Sequence, residues 1–225
     1  MPDRSAPLSI PPGGEHRYTV ALRCGMPALE RLLVQQLAPF GIQHDPASAT
    51  LLLVDAPFGF ALLTLETLQH SYRYVIVATE NPCPEYWEDL DAFQPTILLA
   101  GCNLEQPIAE AIARVATGDR YRMTPQQTTP LTASERAVLR LVARGWTNKQ
   151  IARCLGVTEK RVANTLTGVY EKLRLHSRVA LALYYWGRQD VLDDILRPAP
   201  SQACPWSAGE SSRCDGNKLS CAGGD

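Results

Sequence analysis

The 225-residue sequence has no excess of charge of either sign: 22 Lys and Arg stand against 23 Asp and Glu, a formal charge of −1. This excludes a polycationic arm or an acidic solvating tail as the dominant feature. Long hydrophobic runs are missing too. The most apolar stretch, 51–65, is broken by Asp55, Pro57 and Gly59 and falls short of the roughly 20 residues that span a bilayer, so no membrane anchor is expected. The first fourteen residues, rich in Pro and Gly, contain no apolar segment of a secretory signal, and a cytoplasmic protein is expected. Cysteine is present in an odd number, seven, of which Cys204, Cys214 and Cys221 fit no common zinc spacing, and His16, His44, His70 and His176 are scattered. Reduced thiols, no metal and no cofactor follow as expectations. A P-loop, a dinucleotide glycine pattern and a nucleophile–base spacing are all lacking, so nothing points to an enzyme.

What is present is a chain 45% hydrophobic and 20% charged, long enough at roughly 100 to 200 residues per domain to bury two small cores. Its neutral total conceals a division. Between Leu131 and Asp190 eleven basic residues meet four acidic ones, an excess of +7 that leaves −8 for the remainder. Such asymmetry is expected when one part meets a polyanion. Residues 123–130, polar and holding Pro125 and Pro130, read as an extended linker between the parts. Residues 1–16 and the Ser-, Gly- and Cys-bearing tail 191–225 lack the aliphatic content for a core and read as disordered.

The first part, 17–122, alternates two periodicities. Strands are expected at 17–23, 50–54, 74–78 and 96–100, and helices at 27–40, 60–68, 85–93 and 104–116. Alternation of this kind implies a parallel sheet covered by helices. Between a short strand at 41–44 and Ala49 there are too few residues for the ten or more of a crossover helix.

The order of these elements, and phrases such as Tyr74-Val-Ile-Val-Ala-Thr79 and Pro107-Ile-Ala-Glu-Ala-Ile-Ala-Arg-Val-Ala-Thr-Gly118, resemble the receiver domain of response regulators, an α/β flavodoxin-like fold. The resemblance implies a phosphorylation pocket made of an acidic pair, an acceptor Asp, a hydroxyl and a Lys. The matching positions hold Cys24 and Gly25, Asp55, Thr79 and Ala100. With the acidic pair and the Lys gone, Asp55 alone offers one ligand to Mg²⁺ and the phosphoaspartate lacks its positive partner. The expectation is a degenerate receiver whose second strand and helix are eroded, not switched by the usual phosphotransfer and without a sensor kinase. Asp55 then reads better as a cap for backbone N–H groups. Cys24, Cys83 and Cys102 each follow a strand, where a ligand crevice lies in such sheets. They read either as a thiol cluster that senses oxidant or metal or, more simply, as small buried apolar residues.

The second part, 131–190, is more specific. Thr132 and Glu135 form a capping box, Val138, Leu141 and Val142 an apolar stripe, and Gly145 a helix stop. Thr147 and Gln150 form a second box before Ile151, Ala152 and Leu155, with Gly156 as its stop. Thr158 then caps a third helix carrying Val162, Leu166, Val169 and Leu173. Two helices joined by a glycine-containing turn make a helix-turn-helix.

The run of Leu131, Thr132, Glu135, Val138, Leu139, Leu141, Ala143, Gly145, Thr147, Asn148, Lys149, Ile151, Ala152, Leu155, Val162, Val169, Lys172, Leu173 and Arg178 at fixed spacing closely resembles the DNA-binding domain of the LuxR/FixJ family of bacterial regulators. That resemblance implies an all-α, four-helix domain with its third helix in the major groove of double-stranded DNA. Thr147, Asn148, Lys149 and Lys172 would contact the backbone, Ala163, Asn164 and Thr167 would face the groove, and Lys160 and Arg161 would reach phosphate or a base. The family often carries Lys or Arg at the position of Ala163, His at that of Thr165 and Thr at that of Arg161, which puts the site preference in doubt. A fourth helix, 177–190, would use Val179, Leu183 and Trp186 either to dimerise or to complete its own core. The expectation is thus a homodimeric, sequence-specific transcription regulator, with room for a contact to RNA polymerase. The alternative is a protein-interaction adaptor whose helix-turn-helix has lost useful DNA affinity.

Overall fold

A computed structural model describes residues 18–68, 72–101, 105–188 and 190–191. The expectations for 1–16, Arg17, the tail beyond 191, His70 and Cys102 therefore lie outside the described residues.

Six strands, β1 (Tyr18–Cys24), β2 (Ile42–His44), β3 (Thr50–Val54), β4 (Tyr74–Thr79), β5 (Ile97–Ala100) and β6 (Tyr121–Met123), form one sheet in the order β2-β1-β3-β4-β5-β6, with every pairing parallel. The first five strands follow the doubly wound flavodoxin-like order. Residues Leu51–Leu53 and Ile76–Ala78 are buried as unbroken apolar runs, as central parallel strands covered on both faces must be. Helices α1 (Pro27–Leu37) and α4 (Glu105–Ala116) cover one face over Leu22, Leu52, Ile76 and Leu99, and α2 (Phe60–Thr67) and α3 (Pro84–Asp91) cover the other over Leu51, Leu53, Val77 and Leu98.

Two features of the sheet differ from the sequence reading. The second strand is present, and only its helix is missing. β2 pairs with Tyr18–Val20 and β3 takes over at Ala21–Cys24, so the chain steps across β1 while still advancing and never returns to the start of the sheet. A turn suffices: Asp45 Oδ1 accepts from Ala47 N at 2.9 Å and Ser48 Oγ donates to Thr19 O at 2.8 Å. The second difference is β6, which was not expected. It ends on the first residue of the segment read as linker, and Arg122 fastens it to α3 through Glu88 at 2.7 Å and Asp91 at 3.3 Å.

The carboxyl-terminal part is helical, with α5 (Ala133–Ala143), α6 (Asn148–Leu155), α7 (Glu159–Leu173) and α8 (Arg178–Tyr185). Thr132 and Glu135 close one capping box, Thr147 and Gln150 the other, and Thr158 and Ser177 accept from the Arg161 and Ala180 N–H groups. Gly156 ends α6 in the left-handed region at φ 65°. α8 is shorter than the 177–190 read from the sequence. Gly187 adopts φ 66°, its N–H bonds to Tyr184 O and that of Arg188 to Leu183 O, a Schellman arrangement that stops the helix.

The two parts share a core. One continuous apolar cluster runs from Leu51, Leu62, Val77, Tyr86 and Trp87 through Leu139, Val142 and Leu181 to Tyr185. The segment read as an extended linker is part of this packing: Thr129 Oγ1 donates to Glu85 Oε1, and Pro125 lies against Gly101.

Candidate nucleic-acid interface

The geometry of α6 and α7 follows from their caps. Thr147 Oγ1 accepts from Gln150 N while Gln150 Oε1 accepts from Thr147 N at 2.8 Å, which fixes the direction of α6 and leaves its amino end open to solvent. Burial of Val162, Leu166 and Val169 sets the roll of α7, and that roll turns Lys160, Arg161, Ala163, Asn164 and Thr167 outward. These five are exposed, as are Thr147, Lys149 and Lys172. Asn148 is half-buried and its Oδ1 accepts from Arg178 Nη1 at 3.1 Å, while Arg178 Nη2 donates to Trp146 O. Arg178 therefore ties the start of α8 to the turn before α6.

Lys172 is not a free cation. Its Nζ lies 2.7 Å from Glu135 Oε2 and 2.8 Å from Oε1, the carboxylate that also closes the first capping box. Partial desolvation works against the charge of Glu135, but hydrogen bonds from Lys172 and Thr132 outweigh it and hold its pKa below the ordinary value. The pair connects the end of α7 to the start of α5.

The remnant of the receiver pocket is closed. Asp55, 2% exposed, accepts from Ala61 N at 2.9 Å on one oxygen and from Thr79 Oγ1 at 2.8 Å on the other. It caps the amino end of α2, whose own preceding residue Gly59, at φ 98°, offers no side chain to do so. Burial raises the pKa of Asp55, and hydrogen bonds from Ala61, Thr79 and Tyr86 offset part of that rise. Ala100 is itself buried, and no Lys stands in its place.

Among the described residues, Cys24 and Cys83 do not gather. Cys24 belongs to the core on the α1 and α4 face and Cys83 to the core on the α2 and α3 face. Burial raises the pKa of both, the opposite of what a reactive thiolate needs. Of the two readings of these thiols, Cys24 and Cys83 fit that of small buried apolar residues, and the sheet stands between their two cores.

Sequence reasoning missed the residues that join the two parts. Glu85, Asp89 and Asn81 are buried polar groups around α3. Glu85 accepts from Tyr184 Oη at 2.7 Å, Asp89 accepts from Tyr185 Oη at 2.6 Å and from Arg140 Nη1 at 3.2 Å, and Asn81 Nδ2 donates to Tyr185 O at 3.1 Å. Arg144 pairs with Glu66 on α2. Trp186, read as a dimer or core residue of the helical part, lies on Gly59 and edge-on to Tyr86 and Tyr185, with its Nε1 donating to Ala143 O. The available signal was charge: Arg140 and Arg144 belong to the basic excess and their partners to the acidic one.

Residues 129–185 match the family described as bacterial regulatory proteins, luxR family. Over these residues the helical part is similar to that family. Among relatives of the chain, a probable transcriptional regulator, ycf29, of Guillardia theta is 33% identical over 66 residues, 29% of this chain and 32% of that protein. The transcriptional regulatory protein ComA of Bacillus subtilis is 26% identical over 164 residues, 63% of this chain and 77% of that protein. The chain thus matches about a third of the length of the first relative and about three quarters of the second. Among solved structures, RcsB of Salmonella enterica serovar Typhimurium bound to promoter rprA aligns with a TM-score of 0.47 at 16% identity, over 75% of this chain and 98% of that one. The matched residues span α5 to α8 and include the outward residues of α6 and α7. No helix among the described residues is long and apolar enough to cross a membrane.

Proposed function

We propose that the chain is a sequence-specific DNA-binding regulator of transcription, that it acts as a homodimer on a two-fold site, and that it needs no phosphorylation of Asp55. The observation that carries this reading is the outward face of α7, where Lys160, Arg161, Ala163, Asn164 and Thr167 stand exposed on a helix anchored by its buried stripe. A helix of this kind fits the major groove, where base edges carry a distinct donor and acceptor pattern. The amino end of α6, with Thr147 and Lys149, suits a phosphate, because its N–H groups and the lysine both favour an anion. Asn164 is the candidate for bidentate pairing with adenine. Lys172, engaged with Glu135, reaches phosphate only by sharing or leaving that carboxylate. The relatives named as transcriptional regulators are consistent with this activity. Phosphorylation independence is supported by the two hydrogen bonds that occupy the Asp55 oxygens and by Ala100 at the lysine position. Contact with RNA polymerase belongs to the same reading.

The test is selection of bound fragments from sheared genomic DNA by the purified full chain at near-physiological salt, with no phosphodonor. Enrichment of a two-fold symmetric motif is expected, and Asp55→Asn is expected to enrich the same motif. Failure to bind duplex DNA even at low salt would discard the reading in favour of a protein-interaction adaptor.

A further inference from the structure

We infer that the crevice at the carboxyl ends of β3 and β4 is covered by the end of the chain's own α8 and the turn that follows it, and that the protein binds DNA with its two domains docked. The second half of this inference rests on the DNA-binding reading above.

In open parallel sheets the crevice beyond the strand ends is where ligands bind. Here the loops after β3 and β4, which carry Asp55, Gly59, Thr79 and Asn81, are covered from outside by Tyr185 and Trp186. A Cβ at Gly59 would come within 2.7 Å of the Trp186 ring, and one at Gly187 within 2.8 Å of Asn81 Oδ1. The close approach of the two backbones therefore depends on glycine on both sides. Tyr86 links the layers. Its hydroxyl accepts from Gly59 N at 3.1 Å beside Asp55, and its ring meets Tyr185 edge-on with centroids 5.5 Å apart.

The polar contacts are those of a fitted interface. Three buried side chains of the sheet domain, Asn81, Glu85 and Asp89, each have a partner in the helical part. Separating the domains would strip all three at once, and a buried polar group without a partner costs roughly 1–3 kcal/mol unless water reaches it. Such a seam opens as a unit or stays shut.

Its position decides what docking does to DNA binding. Among the described residues, the hydrogen bonds and ion pairs that cross the seam run to Thr129, to Arg140 on α5 and Arg144 just past its end, and to Tyr184 and Tyr185 at the end of α8. None runs to α6 or α7, and the outward residues of α7 remain exposed with the seam closed. The sheet domain holds α5 and the end of α8, the recognition helix packs on α5, and its reading face stays free. Opening the seam gains no surface for DNA and loses the support of α5 and α8.

Hydrogen exchange on the full chain tests this, free and bound to short random-sequence duplex DNA at low salt, where sequence-independent phosphate contacts are enough for binding. Peptides covering α3 and α8 are expected to be equally protected in the free and bound protein. A variant opened from the sheet side, Asn81→Ala with Asp89→Ala, is expected to exchange about tenfold or more faster in both helices together, and to bind DNA no more tightly than wild type. Loss of α3 and α8 protection on adding DNA would overturn the inference. So would an opened variant that binds tenfold more tightly, the mark of a domain that blocks the reading face. If the wild type binds no DNA, the DNA-binding reading fails and the second half of the inference with it. Exchange in α8 that ignores Asn81→Ala and Asp89→Ala would overturn the first half independently.

Discussion

The Asp55 carboxyl lies where burial works against its charged form. Burial raises its folded pKa above the ordinary 3.8, so the native state binds the proton more tightly than the unfolded chain, and the contribution of this group to stability falls as pH rises between those two values. Asp89 is raised by burial in the same direction, with Tyr185 and Arg140 opposing. Stability measured by denaturant titration is therefore expected to carry a negative component with pH from about 4 upward, and Asp55→Asn, which can still accept from Ala61 N, is expected to flatten it. An unchanged slope in that variant would mean that the charge is better solvated than its burial implies. At the proposed DNA face, Lys149→Ala is expected to weaken binding alike on all sequences and lower the salt slope by about one. Asn164→Ala should relax sequence preference by about 1–3 kcal/mol at one base pair. Titrations of both variants at several salt concentrations separate the two roles; equal loss on specific and random DNA by Asn164→Ala would remove it from base reading. Residues such as Thr132, Thr147 and Thr158 were legible in the sequence because a cap and its partner lie three positions apart. Tyr184 and Tyr185 were not, because Glu85 and Asp89 lie 99 and 96 residues away and no local pattern links them.

Elements were legible where periodicity ran long and obscure where a few residues decided. The capping boxes of α5 and α6 and the apolar runs of β3, β4 and β5 speak for themselves within a short window. Thr147→Ala is expected to lower stability by about 1 kcal/mol, read as a shift of the denaturant midpoint at constant slope. Three residues of β6 carry no periodicity, and only the pairing of Tyr121–Met123 with Ile97–Leu99 makes them a strand. The missing helix after β2 was predictable from chain length, whereas the survival of β2 depends on register, which a sequence does not display. The stop of α8 at Gly187 was open to reading, since glycine past a hydrophobic run is a common helix end. Gly187→Ala should cost roughly 1–2 kcal/mol from the left-handed backbone alone, and more from the contact with Asn81 and Pro82. Calorimetry should place its melting several degrees lower; a change within error would show that the turn relaxes freely.

At the scale of the whole molecule the charge division takes on a second meaning. The +7 of residues 131–190 pointed to a polyanion, yet Arg140 and Arg144 spend their charge on Asp89 and Glu66 of the acidic half. With Lys172 held by Glu135, Lys149, Lys160 and Arg161 are the cations of α6 and α7 that the proposed reading would give to phosphate. Arg122, held by Glu88 and Asp91 at the start of the connecting segment, does similar work there, and limited trypsin digestion is expected to cleave after Arg122 slowly in the native protein and readily once Glu88 and Asp91 are replaced by alanine. Fast cleavage in the wild type would show that this anchor does not hold.

A reading helix fastened through α5, α8 and Thr129 to the body that carries it has no slack. In a symmetric pair the distance between the two reading helices would then be a constant of the protein, and half-sites on DNA would be accepted at one separation and one rotational phase. Inserting about five base pairs, half a turn of the duplex, between the halves of its operator would turn one half-site to the far side, where a loosely tethered domain could still reach it and this one could not.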